Sequence, residues 1–187
     1  MANVNRKTAT IAKIGVLAAV SVVLVWLIHI PIFPAVAFLE YDPADVPILL
    51  GTFALGPAAG IALTVIASVI QGVTVSAASS WYGIVMHIIA TGAFVLTAGI
   101  IYKKNKTKKG AVIALACGTL AMVAVMIPAN LALTPIYLQM VGVPAEAALP
   151  TVKSLLGWIV LFNAVKAGLN SVLTFLLYKR VSPLLHK

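Results

Sequence analysis

FLEYDPADVP, Phe38 to Pro47, is the stretch on which the reading of this chain turns. It holds three of the four carboxylates in the sequence, Glu40, Asp42 and Asp45, together with Phe38 and Tyr41. Pro43 and Pro47 oppose a regular helix through its middle, because proline has no backbone N–H and restricts the residue before it. Long apolar runs flank the stretch on both sides. A short acidic, aromatic connection between apolar segments is a place where a ligand enters or is capped.

The composition places those apolar runs in a membrane. Of 187 residues, 62% are hydrophobic and 9% charged, and the mean hydropathy is +1.11. Soluble domains average about 45–50% apolar and about 25% charged. The expected class is therefore an all-α integral membrane protein, since helices satisfy their own backbone groups in lipid. A single crossing needs about 20 apolar residues, so five or six spans fill this length and leave no room for a catalytic domain outside the bilayer. The net charge of +9 does not imply nucleic acid. The basic residues sit beside apolar runs, as the positive-inside rule expects, and not on a separate domain. Cys117 is single, which excludes a disulfide within the chain and a cysteine-based metal site.

Working outward, the first span covers residues 10–29. Gly15 and Ala19 form a small-xxx-small pair, with Ala12 and Ala18 expected to extend that side. Small residues allow a second helix to approach closely in lipid. Residues 48–75 are interrupted at Gly56-Pro57 and again at Gly60. The next span, 81–102, ends in Lys103, Lys104, Lys106, Lys108 and Lys109. That cluster and the Arg6/Lys7/Lys13 end both belong on the cytoplasmic side, so the segment between them must cross an even number of times. It therefore divides near Gly56-Pro57 into short spans, 48–56 and 60–75. Spans 111–138 and 154–178 complete six transmembrane helices with both termini cytoplasmic, and a connection with Pro144, Glu146 and Pro150 is expected over 139–153. In this topology Glu40, Asp42, Asp45 and Glu146 all face outside, and only Lys153 and Lys166 among the basic residues depart from the inner ends. Trp26, Trp81 and Trp158 fall near outer span ends, as an interfacial belt requires.

The last span contains LFNAVKAGLN from Leu161. Asn163, Lys166 and Asn170 share one helical face by their spacing of three and four. A lysine at the centre of a membrane helix costs about 2.5–3.5 kcal/mol, so it is retained for a partner or a ligand; a structural pair with Asp42 or Glu40 is one alternative and snorkelling to the headgroups is another. Asn130 lies between Pro128 and Pro135 in the fifth span, where a cavity or a helix–helix hydrogen bond would satisfy it. Amides and an ammonium together suit a flat ring edge that alternates carbonyl and imide N–H. Aromatic groups such as Trp81 and Trp158 would stack on its faces, and the carboxylates of the 38–47 stretch would accept bonds from hydroxyls. A pocket opening to the outer face and holding a carbonyl-rich ring with a polyol tail is the expectation; folate, a pyrimidine and other aromatic vitamins fit the same physics. His29, His87 and His186 have no ligating partner at metal spacing, and no phosphate loop is present, so the chain does not hydrolyse ATP itself. A self-sufficient carrier would show an internal repeat with paired broken helices, which is not found. For a membrane enzyme, Asp42 and Asp45 lack His partners nearby in sequence.

FLEYDPADVPILLGTFALGP, NLALTPIY and LFNAVKAGLN resemble the riboflavin-specific membrane subunits, or S components, of energy-coupling-factor (ECF) transporters. The likeness extends over nearly the whole chain, and GVLAA resembles the small-xxx-small docking motif of that family, with Gly15 where alanine is usual. The resemblance implies a cell-membrane, multi-pass subunit that binds riboflavin from outside as transported substrate, with no cofactor of its own, and FMN and flavin analogues within its range. It implies assembly with a transmembrane coupling subunit and two ATPase subunits, through Gly15 and Ala19. It places Asn130, Asn163 and Lys166 at the isoalloxazine ring and the segment Leu39, Glu40, Tyr41, Asp42 to Asp45 over the ribityl tail.

Overall fold

The computed structural model describes residues 2–186. Helix α1 (Ala2–Leu27) leads into a loop that carries a two-residue antiparallel pairing, β1 (Ile30–Pro31) with β2 (Glu40–Tyr41). Then follow α2 (Asp45–Leu55), α3 (Pro57–Val73), α4 (Ser80–Lys104), α5 (Lys108–Met140) and α6 (Ala145–His186). Four of these helices, α1, α4, α5 and α6, are long and apolar enough to cross a membrane. The break expected at Gly56-Pro57 is where α2 ends and α3 begins. Gly56 adopts φ 97°, which a residue without Cβ reaches without strain, and Pro57 opens α3 at a position where its missing N–H costs nothing. With 11 and 17 residues, α2 and α3 are roughly 16 and 25 Å long at 1.5 Å per residue, short of a full crossing.

Helix α2 is the centre of the molecule. Every residue from Asp45 to Phe53 is buried, as expected of a helix apolar on all sides, and it packs against α1, α3, α4 and α6. Pro47 falls inside its first turn, so the irregular stretch ends at Ala44 rather than running to Pro47. Gly60 and Gly99 both pack on Thr52, where a Cβ would overlap its side chain. At the lysine end, Phe53 stacks on Tyr102 at 4.2 Å, and Tyr178 meets both rings edge-on. Tyr102 donates a 3.0 Å hydrogen bond to the Tyr178 hydroxyl. Phe94, Val95 and Ala98, all fully buried, pack between these rings and the middle of the bundle.

Two expectations are corrected. The connection over 139–153 is mostly helix: α5 continues to Met140, and α6 already begins at Ala145 and runs through Pro150. The turn between them is compact because Gly142, at φ 96°, closes a Schellman cap. In it Val143 N–H reaches Leu138 O and Gly142 N–H reaches Gln139 O. On α1, Ala12, Gly15, Val16 and Ala19 are exposed, but Ala18 is buried in the core beside Leu17; at 100° per residue it stands about 60° from Gly15, at the edge of the exposed face, and turns inward. A Cβ on Gly15 would meet nothing, so this glycine has no packing role within the chain. Trp26, Trp81 and Trp158 are 66%, 37% and 43% exposed, as a lipid-interface belt would leave them.

Candidate ligand cavity

A cavity of about 390 Å³ lies between α3, α4, α5 and α6, roofed by the Phe38–Asp42 segment and the α3–α4 connection. Its size falls in the range of small-molecule sites, about 300–1,000 Å³. On α4 its wall is Tyr82, Met86, His87 and Ala90, all in the half of the helix remote from Lys103 and Lys104. On α6 the wall is Ile159, Phe162, Asn163 and Lys166, the i, i+3, i+4, i+7 pattern of one helical face. Met122, Met126, Asn130 and Tyr137 complete it from α5. Tyr82 and Tyr137 stack at 4.4 Å, and the Tyr82 hydroxyl pairs with Thr134 at 2.7 Å.

Lys166 is almost wholly buried. Its ammonium donates a 2.6 Å hydrogen bond to Asp42 Oδ2, across 124 residues of sequence, so the alternative of a structural pair with Asp42 is realised while Lys166 still lines the cavity. Asp42 Oδ1 accepts from Ala44 N–H at 3.0 Å, which shapes the Asp-Pro-Ala turn. Asp45, fully buried in the first turn of α2, accepts from Thr91 at 2.7 Å, His87 Nε2 at 3.2 Å and Asn170 at 3.1 Å. A carboxylate in a first helical turn also complements the helix dipole. Asn170 further donates to Asp42 O at 3.2 Å and accepts from the Tyr41 hydroxyl at 3.1 Å. Burial, with the Asp42 carboxylate beside it, holds the Tyr41 phenol above its ordinary pKa, so it stays a donor. Residues 41–45 are thereby fastened to α4 and α6 at once.

Leu39, Glu40, Asp42, Asn130, Asn163 and Lys166 line this one cavity. Tyr41, Asp45, Trp81 and Trp158 do not line it, and each has a geometric reason. Tyr41 follows Glu40 along β2, and successive strand side chains point to opposite faces. Asp45 belongs to the buried helix α2. Trp81 is turned about 100° from Tyr82 and meets it edge-on from outside at 6.2 Å. Trp158 faces outward against Phe33, at 5.8 Å. The phenyl and phenol rings that reach the cavity are Phe38, Tyr82, Tyr137 and Phe162. Sequence reasoning also passed over Ser68, Gln71 and His87. His87 has no partner at metal spacing in the sequence, and it bridges Ser68 at 2.9 Å and Asp45 at 3.2 Å; nothing local in sequence marks a pairing across 42 residues. Among the described residues, no group of three or more His, Cys, Asp or Glu is placed to hold a metal ion.

A family profile described as "ECF transporter, substrate-specific component" matches residues 9–178. The chain belongs to this family. Its relatives include riboflavin transporter FmnP of Bacillus subtilis (strain 168), 31% identical over 182 residues that span 95% of this chain and 94% of the relative. Riboflavin transporter RibU of Staphylococcus aureus (strain TCH60) is 29% identical over 185 residues, covering 98% and 94%. Among solved structures, one described as "Structure and mechanism of the S component of a bacterial ECF transporter" superposes with a TM-score of 0.79 at 27% identity. The match covers 97% of this S component and 99% of that chain. The six-helix arrangement, with a short buried second helix, is thus that of an S component, and an S component is part of a transporter rather than an enzyme.

Proposed function

We propose that this S component is the riboflavin-binding subunit of an ECF transporter in the cell membrane. The observation that carries the reading is the polar wall of the cavity. Asn130 and Asn163 are amides 3% and 4% exposed, and Lys166 stands one turn from Asn163, all against an apolar floor of Met122, Met126 and Phe162. That combination suits a flat ring with alternating carbonyl and N–H groups on one edge. The names of the relatives give the ring as riboflavin. Asn130, Asn163 and Lys166 hold the isoalloxazine edge; Leu39, Glu40 and Asp42 cover the ribityl tail, while Tyr41 and Asp45 act by holding that cover in place. FMN and flavin analogues share the ring and fall within the same reading.

The whole chain forms one membrane domain with six crossings. Helix α2 leads the chain in from the outer face and α3 leads it back, each as a short span, both termini are cytoplasmic, and the cavity opens outward. The charge pattern supports this, since the Lys103–Lys109 cluster lies at the far end of α4 from the cavity. The exposed α1 face around Gly15 and Ala19 docks the transmembrane coupling subunit, which in turn joins two ATPase subunits; riboflavin is cargo and no cofactor is needed. The test is to purify the full chain alone in detergent, record its absorption spectrum and titrate riboflavin while reading tryptophan fluorescence. A yellow preparation, or saturable quenching at nanomolar flavin, is expected. Colourless protein without quenching would move the ligand to another vitamin.

A further inference from the structure

Gln71 is the one amide on the α3 side of the cavity. Helix α3 makes its main contacts with α1, α2 and α4, so Gln71 reaches the cavity from a different wall than Asn163 and Lys166 on α6. It is 6% exposed. Its Nε2 lies 3.5 Å from Ser21 Oγ, at the outer limit of a hydrogen bond. Its Oε1 accepts from no described residue, yet it is not sealed among protein atoms as Thr174 Oγ1 is. Gln71 lines the cavity, so a ligand held there comes within reach of its side-chain amide. Neighbouring buried hydroxyls are satisfied locally: Ser68 donates to Thr64 O, and Thr64 to Gly60 O. Native interiors leave few polar groups without a partner, because an unpaired one loses its hydration for nothing. An open acceptor in a ligand cavity is accordingly a group awaiting a donor.

The surroundings say which donor. Gln71 sits beneath the roof of the cavity, close in sequence to Ser76 and Ser79 and sharing the space with the Glu40 carboxylate. Gln71, Glu40 and these serines offer acceptors and hydroxyls, whereas Lys166 offers only donors. Ring carbonyls are acceptors and match Lys166. The hydroxyls of a polyol bring donors and match Gln71 and Glu40. We propose that Gln71 accepts a hydrogen bond from a hydroxyl of the flavin's ribityl tail, and so sets a preference for tailed flavins over the bare ring. The inference rests on the riboflavin reading above and names a residue that reading does not include.

The experiment compares riboflavin with lumiflavin, the same ring without the polyol, by fluorescence titration of the full chain in detergent. Gln71→Met keeps the length and volume of the side chain and removes the amide. Riboflavin affinity is expected to fall about tenfold, the worth of one well-placed hydrogen bond, with lumiflavin affinity unchanged, which also serves as the control for folding. Ser21→Ala, which removes the one partner of the Gln71 side chain among the described residues, should leave the riboflavin-to-lumiflavin ratio as it is. Equal losses for both flavins, no loss for either, or a ratio altered by Ser21→Ala would each overturn the assignment. A wild-type chain that binds neither flavin would overturn the ligand reading first, and this inference with it.

Discussion

Lys166 has two roles in this cavity that a single substitution confounds and a pair of substitutions separates. Lys166→Met removes the ammonium and leaves the Asp42 carboxylate, its side chain 15% exposed, with Ala44 N–H as its remaining donor. Removing one partner of a buried ion pair costs about 3–5 kcal/mol, mostly from the uncompensated charge that remains. The retained hydrogen bond and residual exposure put this case at the lower end, about 3 kcal/mol. Adding Asp42→Asn removes that charge, and a neutral pair of similar shape should recover more than half of the loss. Riboflavin binding should behave otherwise: if Lys166 donates to the ring edge, the double variant stays at least about tenfold weaker, or 1.4 kcal/mol. Denaturant unfolding in detergent reads the first quantity and fluorescence titration the second. A double variant that regains wild-type affinity would refute the ligand contact and leave Lys166 as the anchor of the Asp42 turn alone. A single variant as stable as the wild type would refute the burial argument.

Gly15→Leu should leave riboflavin binding intact, because nothing in the chain occupies the space beside Gly15, yet reduce uptake by the assembled transporter at least about tenfold if a helix must approach that face closely. Binding assays on the isolated subunit and uptake by whole cells distinguish the two. In a background lacking Cys117, Glu146→Cys should react with an impermeant thiol reagent on intact cells and Asn105→Cys should not. The reverse pattern would invert the proposed orientation.

Much of this architecture was written in local patterns. The Gly56-Pro57 break, the lysine end of α4 and the helical face bearing Asn163 and Lys166 each depend on residues a few positions apart, so periodicity and charge reveal them. The Phe38–Pro47 stretch was legible as a feature but not in its division of labour. Whether Asp42 or Asp45 meets the cavity depends on where α2 begins, and Pro47 allowed that helix to start two residues before it. The aromatic residues misled for a related reason. Tryptophan drew attention as the larger ring, but the interface also selects it, and the one-residue step from Trp81 to Tyr82 separates lipid from ligand. Gln71 and His87 carried no signal, because their partners lie 50 and 42 residues away. The early start of α6 was hidden by Pro150, which a helix in this setting accommodates.

The aromatic cluster of Phe53, Tyr102 and Tyr178, with the layer of Phe94, Val95 and Ala98 above it, bears on what the subunit does while idle. A packed interior excludes water and small ions, and none of these six residues lines the ligand cavity. Copies waiting in the membrane for an energised partner would then neither short-circuit its electrical potential nor let nutrients drain back along their gradient. A cell could keep many such receptors in reserve at little hazard to its ionic balance.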